Sequence, residues 1–237
     1  MTRIGSGDRL LIFDVDGTLC DTNEIDEECF LTAVGEALGI ERRGLDWQYC
    51  PDVTDAGILR WLWQGQLGRL PSQSEAAAVR DRFVALLAER LAHEPSRFAA
   101  IPGAVNLLAG TASARWDAVI ATGGWSRSAR LKLAAAGLPE ESLLASSDDS
   151  ADRLEIFRLA HQRAVEQRGR GYARTVLVGD GAWDVRVAAS LGWPFTGVAS
   201  GERAERLRRA GASAVVEDFQ NVARFLEVLG DCGVPRR

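Results

Sequence analysis

The chain has 237 residues, of which 46% are hydrophobic and 26% charged, a composition typical of a folded globular protein and not of a disordered one. Its formal net charge is −5 and its sequence shows no basic stripe, so we expect no nucleic-acid partner. No stretch approaches the ~18 uninterrupted apolar residues of a membrane span, so we expect no membrane partner either.

The cysteines indicate a reducing compartment. Cys20, Cys29, Cys50 and Cys232 form no C-x-x-C pair, and the chain is too long to need a disulfide scaffold. The N-terminal residues also lack the apolar segment of a secretion signal. We therefore expect reduced thiols and a cytoplasmic location. The presence of only two histidines argues against a histidine-rich zinc site.

Short apolar runs recur along the chain and predict strands. They cover residues 10–13, 118–121, 175–178, 195–198 and 214–216, with a weaker candidate at 143–145. Helical patterns lie between them, at residues 127–136, 153–167 and 184–191. Strands that alternate with helices predict an α/β fold with a Rossmann-like parallel sheet core flanked by helices.

The segment between the first two strands breaks this alternation. Its apolar residues repeat at helical spacing, with a helix start at Thr54-Asp55 and a capping box from Ser72 to Glu75. We predict an inserted all-helical cap domain of three to five helices at residues 22–98, and an α/β core domain formed by residues 1–21 and 99–237. Residues 20–100 carry 14 acidic side chains and 8 arginines, so the insert is acidic.

An acidic motif, Asp14-Val15-Asp16-Gly17-Thr18, directly follows the first predicted strand. In open α/β sheets, ligands bind beyond the carboxyl ends of the strands. Two carboxylates at close range repel each other, so a bound cation or a shared proton would stabilise them, and hard oxygen ligands suit Mg²⁺. Gly17 permits a sharp turn after the pair. A solvated acidic turn is the alternative interpretation.

A second acidic motif, Gly179-Asp180-Gly181-Ala182-Trp183-Asp184, follows the strand at residues 175–178. Asp180 is at the strand end and Asp184 lies one turn into the next helix, so both could point at the same cation. The alternative is an ordinary capped helix start. The glycine spacing does not match the G-x-G-x-x-G motif of dinucleotide-binding proteins.

Two further segments could bind an anion. Thr122-Gly123-Gly124, after the strand at residues 118–121, offers a hydroxyl and backbone N–H groups, although a simple turn explains it equally well. A phosphoryl group among several carboxylates also needs a cation besides the metal. Arg153, at the start of a predicted helix, is the candidate, and a solvated arginine is the alternative.

These motifs, in this order, resemble those of the haloacid dehalogenase-like (HAD) superfamily, and the helical insert resembles that family's C1-type cap. The chain is most similar in pattern to the phosphoglycolate phosphatase-like and β-phosphoglucomutase-like branch. The resemblance implies Mg²⁺-dependent hydrolysis of a small phosphate monoester. Asp14 would attack phosphorus and form an aspartyl-phosphate. Asp16 would protonate the leaving oxygen and then deprotonate the attacking water.

The resemblance also implies the ligand sets. The Mg²⁺ ligands would be Asp14, Asp16 through its backbone carbonyl, Asp180 and, directly or through water, Asp184. The phosphoryl oxygens would contact Thr122, the Gly123 amide and Arg153, and the substrate-binding set also includes Thr18. The implied catalytic residues are Asp14, Asp16, Thr122 and Arg153.

One feature departs from the family pattern. The third motif in this branch is usually a lysine, but Lys132, the chain's only lysine, lies just after the second motif and is badly placed for that role. Arg153 is the best substitute, and Arg158 is the alternative. An arginine can neutralise the same charge, although its planar geometry differs from that of a lysine.

Comparison within the superfamily favours phosphoryl transfer. Dehalogenases lack the second aspartate, which is present here as Asp16. Phosphonoacetaldehyde hydrolase relatives need a lysine in the cap, and the insert has none. The segment Thr122-Gly123-Gly124-Trp125 does not match the Ser-x-Ser-x-Asn-like motif of phosphoglucomutases. A phosphomutase of the β-phosphoglucomutase type and a non-catalytic regulatory protein on the same fold remain the alternatives.

The insert should determine the substrate. The loop at residues 46–55 is a candidate for facing the active site. Trp47, Trp61 and Trp63 could stack on a substrate ring or pack the insert, and packing is favoured. We expect a small phosphorylated metabolite as the partner, and a monomer or homodimer.

Overall fold

A computed structural model describes residues 8–40, 50, 52–111 and 115–236. Six strands form one sheet in the order β3-β2-β1-β4-β5-β6, and every neighbouring pair is parallel. The strands are β1 (Arg9–Phe13), β2 (Trp116–Ala121), β3 (Leu144–Ala145), β4 (Arg174–Gly179), β5 (Phe195–Val198) and β6 (Val215–Val216). The predicted parallel α/β sheet is confirmed, including the weak third strand.

Helices cover most of the remaining described chain. They are α1 (Asn23–Leu38), α2 (Asp55–Leu67), α3 (Gln73–His93), α4 (Ala104–Gly110), α5 (Ser126–Ala135), α6 (Arg153–Arg168), α7 (Ala182–Leu191), α8 (Gly201–Arg209) and α9 (Val222–Asp231), with a 3-10 turn at Pro95–Phe98. The first three helices lie between β1 and β2, so the insert is helical in its described residues. The domain boundaries at residues 22 and 98 stay a prediction.

Alternating side chains of β1 pack against helices on both faces of the sheet. Leu11 and Phe13 belong to a core cluster with residues of α4, α5 and α9, whereas Leu10 and Ile12 belong to another with residues of α6, α7 and α8. All four side chains are fully buried, which stabilises the fold by roughly 1.5–3 kcal/mol for each. This two-sided burial explains why the strand is an uninterrupted apolar run.

Polar side chains set the starts of the insert helices as predicted. The Thr54 hydroxyl accepts a hydrogen bond from the Gly57 backbone N–H at 3.0 Å and caps α2. Ser72 and Glu75 form a reciprocal capping box at α3, at 3.2 and 2.8 Å. Such caps each stabilise a helix by about 1 kcal/mol because they satisfy otherwise unpaired N–H groups.

The insert packs around a third core cluster, which also includes side chains from the α/β core. Trp125, just before α5, lies with its ring 5.8 Å from that of Phe30 and 6.0 Å from that of Phe83. Trp63 is fully buried in this cluster and Trp61 packs against it, as the packing interpretation expects. Trp47 lies outside the described residues. No described helix has the length and apolar character needed to cross a membrane.

Candidate active site

The strand register brings the two acidic motifs to one edge of the sheet. Phe13 at the end of β1 is aligned with Val178 of β4 and Ile120 of β2. The residues that follow these strands, Asp14, Asp180 and Thr122, therefore emerge at the same carboxyl edge. The strand order reverses between β1 and β4, and such a switch point is where open α/β sheets bind ligands.

Three carboxylates meet at this edge. Asp14, Asp180 and Asp184 each have an oxygen within 4.8 Å of the others, and each is buried, with Asp184 fully so. The Asp184 carboxylate accepts a hydrogen bond from the Gly181 N–H at 3.0 Å, which fixes it at the start of α7. The structure therefore brings residues of the two acidic motifs together, and their roles stay a prediction.

Arg153 lies against two of these carboxylates. Its Nη2 is 3.2 Å from Asp14 Oδ2 and 2.8 Å from Asp184 Oδ1, and its Nε donates to Asp184 Oδ1 at 3.0 Å. The side chain is 9% exposed. Arg158, the alternative, is exposed and pairs with Glu155. Of these two arginines, only Arg153 reaches the cluster.

The cluster perturbs the proton affinity of its members. Burial raises the pKa of Asp14 well above its ordinary value; the Arg153 charge opposes this rise, and the charges of Asp184 and Asp180 add to it. Burial, helped by the charge of Asp184, raises the pKa of Asp180 to about 6 against the opposing effects of Asn23, Arg203 and Arg153. Three buried carboxylates beside the buried Arg153 and the half-exposed Arg203 therefore still favour the uptake of further positive charge.

The donor set fits a divalent cation. Carboxylate oxygens are the hard ligands that Mg²⁺ and similar ions prefer, and three buried ones converge within reach of a single ion. Burial is the main cause of the raised pKa of Asp14 and of Asp180, and neighbouring carboxylates add to it; a bound cation would offset that added repulsion. Asp14, Asp180 and Asp184 are the residues that could hold such an ion.

Asp180 has two further partners, which the sequence motifs did not indicate. Asn23, the first residue of α1, donates from Nδ2 to Asp180 Oδ2 at 2.9 Å, and Arg203 of α8 pairs with the same oxygen. Gly17 passes directly beside them with a φ of +72°, and a Cβ atom there would lie 2.1 Å from Asp180 Oδ2. Glycine is thus required at this turn both for its backbone conformation and for space.

Asp16 has two side-chain partners that are not members of the carboxylate cluster. Its Oδ1 accepts a hydrogen bond from the Thr22 hydroxyl at 2.6 Å, and its Oδ2 contacts Lys132 Nζ at 2.6 Å. Lys132 Nζ also lies 2.5 Å from Asp26 Oδ1 of α1. Lys132 lies too early in the chain for the third-motif role, yet its ammonium group reaches the first motif. No local signal marks it except that it is the chain's only lysine.

The remaining predicted site residues are Thr122, Gly123 and Thr18, and only the first two line the cavity. Thr122 and Gly123 line the cavity above the carboxylates, and the Thr122 hydroxyl accepts a hydrogen bond from the Gly124 N–H at 3.0 Å. A Cβ atom at Gly123 would lie 2.3 Å from Arg153 Nη1, so the glycine makes room for the guanidinium. Thr18 is fully buried and, among the described residues, is not part of the cavity wall. Its assignment to substrate binding stays a prediction.

A cavity of about 390 Å³ opens over the site, between the sheet edge and the insert. Its wall includes Asp14, Asp16, Asp180 and Arg153 from the core, together with Asp26, Glu27, Phe30, Val53, Thr54, Asp55 and Ile58 from the insert. Part of the loop predicted to face the site, at residues 53–55, therefore does so. Residues 46–49 and 51 of that loop lie outside the described residues.

The start of α2 fixes the insert on the core loops. The Asp55 N–H donates to Gly123 O at 2.8 Å, and the Asp55 carboxylate accepts from the Trp125 N–H at 2.8 Å. The Thr54 hydroxyl donates to Ala151 O at 2.7 Å, and Arg153 Nη1 donates to Val53 O at 3.1 Å. The loop that carries the anion-binding candidates is thereby tied to the insert.

Comparison with known proteins identifies the family. The model of the haloacid dehalogenase-like hydrolases matches residues 9–192. The chain is 28% identical over 218 residues to IndB of Dickeya dadantii (strain 3937), described as a probable phosphatase, and this match covers 90% of the chain and 91% of IndB.

Solved structures share the fold. A hydrolase from Pseudomonas syringae has a TM-score of 0.66 at 26% identity, covering 92% of this chain and 97% of that one. CbbY from Rhodobacter sphaeroides, solved in complex with phosphate, has a TM-score of 0.64 at 23% identity, covering 90% and 95%. The family model spans most of the chain and includes both acidic motifs, so this protein belongs to the haloacid dehalogenase-like hydrolase family.

Proposed function

We propose that the protein is a Mg²⁺-dependent phosphatase that hydrolyses a small phosphate monoester through an aspartyl-phosphate on Asp14. The observation that carries this proposal is the position of Asp14: it is buried at the floor of a cavity, 3.2 Å from a buried guanidinium and within reach of two further carboxylates. The similarity to IndB, whose description is a probable phosphatase, supports the same reaction class.

Asp14 would act as the nucleophile. A phosphate monoester is an anion, so a carboxylate can approach it only when nearby cations offset the repulsion. Arg153 supplies one positive charge beside Asp14 and can contact the phosphoryl oxygens from the same place. Thr122 and the backbone of Gly123 add polar groups on the cavity wall. Attack by an Asp14 oxygen forms the bond to phosphorus while the bond to the leaving oxygen breaks.

Asp14, Asp180 and Asp184 would hold Mg²⁺, with the Asp16 backbone carbonyl completing the protein ligands. When bound, the ion supplies a Lewis acid that neutralises the charge of the transferring phosphoryl group. The chain provides the oxygen donors and, through Arg153, a second cation that the metal does not replace.

Asp16 would move the protons. It lines the cavity two residues from Asp14, and the protonated acid would donate to the leaving oxygen in the first step. The resulting carboxylate would take a proton from the water that attacks the aspartyl-phosphate, which releases inorganic phosphate and regenerates Asp14. The two halves of the reaction therefore return Asp16 to its starting protonation state.

The cavity indicates the size of the substrate. Its volume of about 390 Å³ lies at the lower end of the ~300–1,000 Å³ that is typical of small-molecule sites. The insert contributes the carboxylates Asp26, Glu27 and Asp55 and the apolar side chains Phe30 and Ile58 to this wall. On the insert side, an uncharged or hydroxyl-bearing leaving group suits these side chains better than a second phosphate does, whereas Arg203 and Arg206 line the cavity on the core side.

The test is release of inorganic phosphate from a panel of small phosphate monoesters, with and without Mg²⁺. We expect turnover that EDTA abolishes and Mg²⁺ restores, and that Asp14→Asn reduces by at least about 1,000-fold, since no nucleophile remains. Trapping of labelled phosphate on Asp14 would identify the intermediate. Full activity of Asp14→Asn, or isomerisation of a sugar phosphate without phosphate release, would contradict the proposal.

A further inference from the structure

Lys132 occupies an unusual environment for a lysine. Its side chain is fully buried, and its ammonium group lies 2.6 Å from Asp16 Oδ2 and 2.5 Å from Asp26 Oδ1. Removal of an ammonium group from water is unfavourable, so the position is tolerable only because both carboxylates compensate it. Lys132 is also the only lysine among 28 basic residues of the chain.

The choice of lysine has a geometric reason. An ammonium group is compact and directs three donors tetrahedrally, so it fits between two carboxylates from different elements. A guanidinium is larger and planar, and it would need more space at a point where no side-chain surface is exposed. The chain uses arginine at every other basic position, and it uses lysine at the one position where a compact cation bridges Asp16 and Asp26.

Asp16 contacts two protein side chains and still faces the cavity. Thr22 contacts its Oδ1 and Lys132 its Oδ2, while Asp16 still lines the cavity and its side chain is 16% exposed. Each carboxylate oxygen has a second acceptor site, so both can keep these partners while one faces the substrate. The pair of contacts therefore fixes the rotation of the carboxylate about its χ angles.

Asp26 anchors the lysine from the other side. It belongs to α1, and its carboxylate is part of the cavity wall, whereas Lys132 lies behind that wall. Burial lowers the pKa of Lys132, but the charges of Asp16 and Asp26 and their hydrogen bonds outweigh this effect, so the net shift is upward and the side chain stays cationic. The ammonium group is thus held between the carboxylates of two residues that line the cavity.

We infer that Lys132 is the positioning residue for Asp16, holding its carboxylate in the orientation from which it exchanges protons with the leaving oxygen and the attacking water. This inference rests on the proposed phosphatase reaction. Lys132 does not itself touch the substrate. Its effect passes through Asp16, with Asp26 as the anchor that keeps the ammonium in place.

The experiment compares two esters of similar size in the full-length protein with Mg²⁺. p-Nitrophenyl phosphate releases a stable phenolate that needs little protonation, whereas benzyl phosphate releases an alkoxide that needs a proton from Asp16. The rate of leaving-group release in the first turnover is measured by rapid quench for wild type and Lys132→Met. We expect about a 100-fold loss for benzyl phosphate and less than about a 3-fold loss for p-nitrophenyl phosphate, because only the former depends on general-acid catalysis.

Two further variants make the comparison specific. Asp16→Asn should show the same dependence on the leaving group, and adding Lys132→Met to it should change the benzyl phosphate rate by less than about 3-fold, since the two residues act as a unit. Arg127→Met removes another ion pair between α5 and the insert, with Asp81, and should lower neither rate appreciably because that pair is exposed.

The outcomes separate the two proposals. If the wild type releases neither leaving group, the proposed phosphatase function fails and the inference fails with it. If the wild type hydrolyses both esters and Lys132→Met slows both equally, the phosphatase function stands and the positioning role of Lys132 is wrong. If Lys132→Met does not fold, Asp26→Asn takes its place: it should slow benzyl phosphate selectively, and an equal effect on both esters would overturn the inference.

Discussion

Arg153 Nη2 lies 3.2 Å from Asp14 Oδ2, and both side chains are almost completely buried. The contact joins the first residue of α6 to the residue that follows β1, although 139 positions of the chain separate them. It exists because α6 starts beyond β3 at the same carboxyl edge of the sheet where β1 ends. A cation is thereby supplied to a cluster of carboxylates with little exposure to bulk water.

This contact predicts a large loss of activity when Arg153 is removed. Arg153→Met should lower kcat/KM for a phosphate monoester by roughly 100- to 1,000-fold, because the variant loses a buried charge beside the transferring group. Arg153→Lys should lose less, since it keeps the charge but not the planar fork that reaches both Asp14 and Asp184.

Arg158→Met is the matched control for Arg153. It lies on the same helix, is exposed and pairs only with Glu155 among the contacts described for its side chain, so its kcat/KM should stay within about 2-fold of wild type. Steady-state kinetics of Arg153→Met, Arg153→Lys and Arg158→Met measure these changes in kcat/KM. Arg153→Met with nearly full activity would contradict the role assigned to this residue.

Gly17 predicts a difference between two alanine substitutions. Both Gly17 and Gly137 have a left-handed φ, at +72° and +69°, but only at Gly17 would a Cβ atom meet neighbours, Asp180 Oδ2 at 2.1 Å and Asn23 Nδ2 at 2.2 Å. Gly137→Ala should therefore cost only the ~1–2 kcal/mol of backbone strain. Gly17→Ala should cost roughly 3 kcal/mol or more, since Asp180 must also move.

The comparison has two measurements. Chemical denaturation gives the free energy of unfolding of each variant, and titration with Mg²⁺ gives the metal concentration at half-maximal activity. Gly17→Ala should raise that concentration at least about 10-fold by displacing Asp180, whereas Gly137→Ala should leave it unchanged. Equal destabilisation and equal metal requirements in the two variants would refute the close packing of Gly17 against Asp180.

Asp149 predicts a pH-dependent contribution to stability. Its carboxylate accepts two hydrogen bonds from Arg163, at 2.9 and 2.6 Å, and one from the Ser146 N–H at 3.0 Å. Partial burial raises the pKa of Asp149, but the hydrogen bonds from Arg163 and Ser146 and the Arg163 charge outweigh it and hold the pKa below its ordinary value of 3.8.

The sign of the effect follows from this depressed pKa. The folded state binds the Asp149 proton less tightly than the unfolded state, so the stabilisation is fully present above about pH 4 and is lost as the pH falls through the folded pKa. Asp149→Asn should lower the free energy of unfolding by about 1–2 kcal/mol at pH 7, and the difference from wild type should shrink toward pH 3.

Asp81→Asn is the control for this comparison. Asp81 also pairs with an arginine, Arg127, but both side chains are well exposed, so its removal should change stability by less than about 0.5 kcal/mol at any pH. Urea denaturation at several pH values measures both series. A difference between wild type and Asp149→Asn that grows as the pH falls would show the opposite linkage.

The core of the site was predictable from the sequence because it depends on local pattern and on one rule of sheet geometry. Asp14 and Asp180 each follow an apolar strand, and parallel strands present their carboxyl ends at one edge. Helix α6 begins near that edge, which brings Arg153 close and leaves Arg158 on the exposed side. None of these placements requires knowledge of how the insert folds back onto the core.

The site residues that the sequence did not indicate are brought there by packing between elements that are far apart in the chain. Lys132 of α5 reaches Asp16 while it also contacts Asp26 of α1, and Asn23 of α1 and Arg203 of α8 both reach Asp180. The packing of Trp125 was likewise not predictable from the sequence. Trp125 follows the candidate anion-binding segment, and no sequence pattern indicates that its ring packs with Phe30 of the insert. Side-chain direction in these helices is set by tertiary contacts and not by local periodicity.

The burial of Lys132 has a practical consequence for chemical labelling. Because it is the chain's only lysine and its side chain is inaccessible, amine-reactive reagents find no side-chain target in the folded protein. Acylation of this residue requires the interior between α5 and α1 to open, so its rate under native conditions measures how often that opening occurs. An amine-reactive reagent can therefore measure the rate of local opening between α5 and α1 without any engineered label.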